Sequence, residues 1–163
     1  MNKVFSAHVF DVMETPYNGT NYQVVHKKKN AVAILAKTNM EEIIVVKQFR
    51  PAIEKEIWEV PAGVIEEGET PLQTALRELE EETGYTSDKA YMMGEFYSSP
   101  GFCDEKIYVV MLTNCTKVPD DKRKPMDKNE KIETKLIPWI DFQYQRFYDA
   151  KTTIAQNILG DSE

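Results

Sequence analysis

The order of elements along the 163-residue chain predicts an α+β sandwich. Three observations carry the prediction. Five strand-like segments come first, one strongly specified helix follows, and three further strands precede a helical C-terminal region. The composition, 42% hydrophobic and 29% charged, is ordinary for a soluble globular chain long enough to bury one core, so residues 1–163 read as a single domain.

The first strands are expected at Phe5–Val12, Gln23–His26, Ala31–Leu35, Ile43–Lys47 and Ile57–Glu59, all rich in β-branched and aromatic residues. Pro16-Tyr17-Asn18-Gly19 separates the first two, and Asn18-Gly19 suits a tight hairpin. Asn39–Glu42 marks a second reversal. The helix has signals at both ends. Thr70 is an N-cap, Pro71 fits the first helical position, Gln73 completes a capping box, and Gly84 supplies the stop. Leu72, Ala75, Leu76 and Leu79 fall at i, i+3, i+4 and i+7 and form the face that enters the core. Later strands are expected at Ala90–Tyr97, Lys106–Leu112 and Ile132–Ile137. The polar stretch Pro119–Lys131 between the last two reads as a mobile loop. Pro138 opens a helical region, broken near Tyr148, that extends to Leu159.

A net charge of −7 argues against a general nucleic-acid binder, although a bound metal would reverse the local sign for a small phosphorylated ligand. No apolar run approaches the length of a membrane span, and the N-terminal residues lack a signal-peptide core, so a cytoplasmic setting is expected. Cys103 and Cys115 form no CxxC pair and have only His8 and His26 as companions, so zinc is not expected and both thiols should be reduced.

The chemistry concentrates on the helix. Glu78, Glu81 and Glu82 stand at i, i+3 and i+4 and share one face, roughly 110–120° from the apolar stripe. Three like charges so close call for a positive group among them, and Mg²⁺ or Mn²⁺ suits an all-oxygen site. A solvated acidic face is the bland alternative. The wider pattern decides between them. From Gly63 to Tyr85 the chain resembles the Nudix box, Gly-x5-Glu-x7-Arg-Glu-U-x-Glu-Glu-x-Gly-U. Gly63, Glu69, Arg77, Glu78, Glu81, Glu82 and Gly84 occupy every fixed position, with Leu79 and Tyr85 at the apolar or aromatic ones.

The resemblance implies a mixed sheet packed between helices, with the box helix beside a catalytic cleft. It assigns metal ligation to Glu78, Glu82 and Glu81, with the backbone carbonyl of Ala62 as a further ligand, and two to three ions in all. Gly63 would serve a tight turn, and Arg77 and Glu69 would pair to fix the loop against the helix. Glu80, Glu66 and Glu67 are expected at the surface. Glu81 and Glu82 also count as catalytic through the metals they would hold.

Flanking segments resemble the ADP-ribose pyrophosphatase branch of the family. They are Gln48-Phe49-Arg50, Trp58-Glu59-Val60-Pro61-Ala62-Gly63, Ser98-Ser99-Pro100-Gly101 and Asp149-Ala150-Lys151-Thr152. This implies metal-dependent hydrolysis of a nucleoside diphosphate linked to a sugar phosphate, with ADP-ribose giving AMP and ribose 5-phosphate. Another nucleotide sugar or a dinucleoside polyphosphate is the alternative substrate, and a non-catalytic ADP-ribose sensor is the rival class. The substrate residues are then Arg50, Glu105, Pro100 and Gly101. Arg50 would meet the adenosine or diphosphate end, or be a surface residue. Glu105 would meet the terminal ribose hydroxyls, or pair with Lys106. The general base would be Glu130, with Asp127 and Glu133 as fallbacks. Where the branch carries an arginine this chain has Tyr22, so Tyr22 or Tyr17 would stack on adenine, or both would be buried packing. Trp58 and Phe49 read as core, His26 as satisfied or exposed, and Lys27-Lys28-Lys29 as a solvated turn. Residues Met1–His26 fit a strand arm of the kind exchanged across a homodimer in this branch.

Overall fold

A computed structural model describes residues 1–119, 121–122 and 131–160, the last two without their side chains. Eleven strands and three helices follow in the order β1 (Asn2–Ser6), β2 (Phe10–Tyr17), β3 (Thr20–Lys27), β4 (Ala31–Thr38), β5 (Glu42–Arg50), β6 (Lys55–Glu59), β7 (Ala62–Val64), α1 (Pro71–Thr83), β8 (Tyr85–Thr86), β9 (Lys89–Tyr97), β10 (Lys106–Lys117), β11 (Glu133–Pro138), α2 (Trp139–Tyr144) and α3 (Ala150–Gly160). A single 3-10 turn, Pro51–Ile53, joins β5 to β6.

The strands form two sheets. β1, β2 and β3 make an antiparallel meander at the N-terminus. The larger sheet runs β11-β5-β4-β10-β8, with β6 on β5, β7 on β4 and β9 on β10. It is mixed, because β10 lies parallel to β4 while the other pairs are antiparallel. β4 is its centre, and its alternation divides the core. Val32, Ile34 and Ala36 pack with Ala75 and Leu79 of α1, while Ala33 and Leu35 pack with Phe142 of α2 and with Phe147. Helices therefore cover both faces, as the resemblance implies. No helix among the described residues is long and apolar enough to cross a membrane.

Helix α1 begins and ends where its caps dictate. The Thr70 hydroxyl accepts the Gln73 N–H at 3.3 Å, and the Gln73 side chain accepts the Thr70 N–H at 2.9 Å. Gly84 takes a left-handed φ of 73° and its N–H donates to the Glu80 carbonyl. The hairpin at Asn18-Gly19 also forms as expected, with positive φ at both residues.

The N-terminus differs from expectation. The segment expected as one strand, Phe5–Val12, is two antiparallel strands that reverse between Ser6 and Phe10. The reversal is closed by Ala7 N–H donating to the Phe10 carbonyl, by the Ser6 hydroxyl donating to Asp11, and by Lys28 of the neighbouring chain segment reaching the Ala7 carbonyl. Tyr17 and Tyr22 meet edge to face at 6.2 Å but stay exposed, and so does Phe49. The packing role expected of these three rings is not what they do. Trp58 does pack against the core, with Lys47 and Lys135 over its ring.

Candidate active site

Arg77 is the hub of the carboxylate cluster. Its Nε and Nη2 hold the two oxygens of Glu69 at 2.8 and 2.9 Å, and its Nη1 donates to Glu78 at 2.8 Å and to Glu81 at 3.0 Å. Nη2 also reaches the Val64 carbonyl, which ties the helix to β7. The expected Arg77–Glu69 pair thus extends into a four-residue network. Glu69 gains further bonds from the Thr74 hydroxyl and the Glu66 N–H. Arg77 above all, against the opposing effect of burial, brings the Glu69 carboxyl down to about 2. Glu69 in turn raises the guanidinium above its ordinary value, so Arg77 stays charged at any working pH.

Glu82, 5% exposed, accepts the Ala62 N–H at 3.2 Å. Gly63 follows within β7, where it stands in strand rather than in the expected tight turn. Its glycine identity is a matter of space, since a Cβ there would lie 2.0 Å from Cδ of Glu78. The backbone of β7 and the Glu78 side chain of α1 therefore approach closely. Among the described residues no group of three or more His, Cys, Asp or Glu side chains is arranged to hold a metal ion. The donor chemistry nonetheless fits a hard divalent cation, being all oxygen.

A cleft of about 490 Å³ opens beside this wall, lined by Ala62, Gly63, Val64 and residues from β5, β6, β9, β10 and α3. Arg50 lines it, as does Glu105. Glu105 pairs with Lys27 at 3.3 Å, while Lys106 is taken by Glu95. Pro100 and Gly101 sit in the neighbouring turn and are not among the lining residues, although Ser98 is. A depression of equal volume beside Lys28, Lys29 and Glu66 is less suited to an anionic ligand, because Lys28 is tied to Asp11 and Lys29 to Glu66.

The sequence reading gave no role to the other charged groups of the cleft. Glu59, 1% exposed, has Arg50 Nη2 2.5 Å from its Oε1 and Lys151 Nζ against its Oε2. Lys151 also pairs with Asp149 at 2.9 Å. Asp149 caps α3 by accepting from the Thr152 N–H and hydroxyl, and burial of its carboxyl is outweighed by Lys151 and these bonds, which hold it below the usual range. The signal for Glu59 was a carboxylate two residues after Ile57 in a strand, hence on the same face, and Ile57 lines the cleft too.

Other expectations fall as follows. Glu130 and Asp127 lie outside the described residues. Glu133 opens β11 and is paired with Lys47, and it does not line the cleft. His26, exposed as expected, bonds Asp104 at 2.5 Å. In the lysine run Lys28 and Lys29 are exposed as expected, and Lys27, Lys28 and Lys29 each also have an acidic partner. Glu66 is exposed as expected but serves as the Lys29 partner, and Glu80 is half-buried rather than solvated.

The NUDIX domain model matches residues 27–157. The chain is 41% identical over 165 aligned positions to an ADP-ribose pyrophosphatase of Bacillus subtilis, covering 96% of this chain and 88% of that protein. It is 38% identical over the same shares to a methanol dehydrogenase activator of Bacillus methanolicus. Among solved structures, an ADP compounds hydrolase superposes with a TM-score of 0.82 at 18% identity, over 99% of this chain and 90% of that one.

Proposed function

The chain belongs to the NUDIX family, and we propose that it hydrolyses ADP-ribose with water to give AMP and ribose 5-phosphate. The observation that carries this reading is the wall formed by β7 and α1, where Glu82 accepts from Ala62, Glu78 crowds Gly63 and Arg77 ties Glu81 to Glu78, beside an open cleft. The 41% identity to an ADP-ribose pyrophosphatase over nearly the whole chain supports the substrate. Enzymes of this family generally depend on a divalent metal.

In the proposed reaction Glu78, Glu81, Glu82 and the Ala62 carbonyl would hold Mg²⁺ or Mn²⁺, two to three ions, which would supply positive charge for the diphosphate and a more acidic water. Arg50 donates to the diphosphate, for which its planar fork is suited. Glu105, free to exchange its Lys27 contact, accepts from the ribose hydroxyls, and the 98–101 turn shapes that end of the cleft with Pro100 and Gly101. Glu130 takes the proton of the attacking water. The water oxygen forms a bond to one phosphorus, the bond from the bridging oxygen to that phosphorus breaks, and two phosphate monoesters leave. The reading also includes one domain over residues 1–163, a cytoplasmic setting and a homodimer through the 1–26 arm. The exposed Val4, Phe5 and Val9 of that arm support the dimer.

The box specifies a diphosphate and not its substituents. Hydrolysis products should therefore be profiled across ADP-ribose, ADP-glucose, GDP-mannose and diadenosine polyphosphates. A kcat/KM for ADP-ribose at least tenfold above the others supports the reading, and a preference for any other compound replaces the substrate.

A further inference from the structure

Glu59 is a buried carboxylate that the reaction above does not use. A charge withdrawn from water is stable only when paired, and Glu59 is paired twice, with Arg50 through one oxygen and Lys151 through the other. Both cations line the cleft beside it. Arg50 Nη2 lies 2.5 Å from Oε1, and the planar guanidinium has further N–H donors for another acceptor. Lys151 gives two of its three donors to Glu59 and Asp149. The next residue of α3, Thr152, accepts the N–H of Val60, so two successive helix residues grip Glu59 at the end of β6 and the residue that follows it.

We propose that Glu59 is a positioning residue for substrate binding: it holds Arg50 and Lys151 together on one wall of the cleft, making a two-cation seat for the phosphates of a nucleoside diphosphate. Lys151 is then a substrate-binding residue alongside Arg50. The proposal rests on the hydrolase reading and deepens it. Ground-state binding through this wall predicts an effect on KM more than on kcat.

The test is a cycle of variants in ADP-ribose hydrolysis, with kcat and KM measured separately. Glu59→Gln preserves shape and removes the charge. It should raise KM at least tenfold and change kcat less than threefold. In an Arg50→Ala, Lys151→Met background the same change should raise KM by less than threefold more, because Glu59 acts through these two cations. Equal, multiplying effects in the two backgrounds, or a fall in kcat at unchanged KM, would mean that Glu59 only braces the fold and would overturn the proposal. If Glu59→Gln does not fold, Lys151→Met decides: KM should rise at least fivefold, with Lys151→Arg returning it to within twofold of wild type. An unchanged KM in Lys151→Met overturns the proposal. Wild-type protein inactive on ADP-ribose sinks the hydrolase reading instead, so the two failures are distinct.

Discussion

Replacing Gly63 by alanine tests the geometry of the carboxylate wall with a single methyl group. The new Cβ would stand 2.0 Å from Cδ, 2.1 Å from Oε1 and 2.3 Å from Cγ of Glu78. Carbon contacts settle at about 3.5–4.0 Å, so the carboxylate would have to retreat by about 1.5 Å or more. It can retreat, because the obstacle is the end of a flexible side chain rather than backbone, and Gly63 does not occupy a left-handed conformation that alanine would strain. Overpacking of this kind costs about 1–3 kcal/mol. For a domain of this size that corresponds to a fall in Tm of roughly 2–12 °C. The retreat also breaks the 2.8 Å bond from Arg77 and displaces a proposed metal ligand. Misplacing a catalytic group by about 1 Å costs on the order of 10²-fold in rate. The expected outcome is a folded protein with kcat/KM for ADP-ribose reduced about 10²-fold or more. Melting curves and initial rates measured side by side would refute the reasoning if activity stayed within threefold of wild type. A variant that failed to fold would refute it too, by putting the strain in the backbone.

Other outcomes follow from the same site. Glu82→Gln keeps the contact to the Ala62 N–H but removes a buried charge, and should lower kcat by at least 10²-fold while the far-UV circular dichroism is unchanged. Glu69 binds its proton less readily folded than unfolded, so its contribution to stability is complete above pH 4.5 and is lost as the pH falls toward about 2. Urea midpoints measured across that window should fall in the wild type and fall less steeply in Glu69→Gln; parallel curves would contradict the Arg77 pairing. The Cys115 thiol is buried and pushed up to about 11 by that burial, so iodoacetamide at pH 8 should label Cys103 and leave Cys115 intact until the protein unfolds. Mass spectrometry of the labelled peptides would show the order.

What could be read in advance was local. The α1 boundaries were legible because the capping box, Pro71 and Gly84 act within a few residues of themselves. The Asn18-Gly19 hairpin was legible for the same reason. The Arg77–Glu69 pair and the approach of Glu78, Glu81 and Glu82 were legible through motif and helical spacing. The reversal between Ser6 and Phe10 was not, since it contains neither glycine nor proline and is closed in part by Lys28, twenty-one residues from Ala7. Tyr17, Tyr22 and Phe49 were misjudged because apolar character does not say which sheet face has a partner. Gly63 was recognised, but its cause was wrong, for crowding by Glu78 exists only once β7 is laid against α1. Glu59 escaped notice because its partner Lys151 is 92 residues away.

The central claim is that metal held by this wall drives hydrolysis of a nucleoside diphosphate sugar. It is tested most directly by incubating the protein with ADP-ribose and Mg²⁺, with and without chelator, and resolving AMP from ribose 5-phosphate. The account predicts equimolar AMP and ribose 5-phosphate at a kcat/KM above about 10⁴ M⁻¹s⁻¹, abolished by chelator and restored by added metal. Turnover that persists in chelator, or a folded, metal-binding protein that leaves ADP-ribose intact, would contradict it.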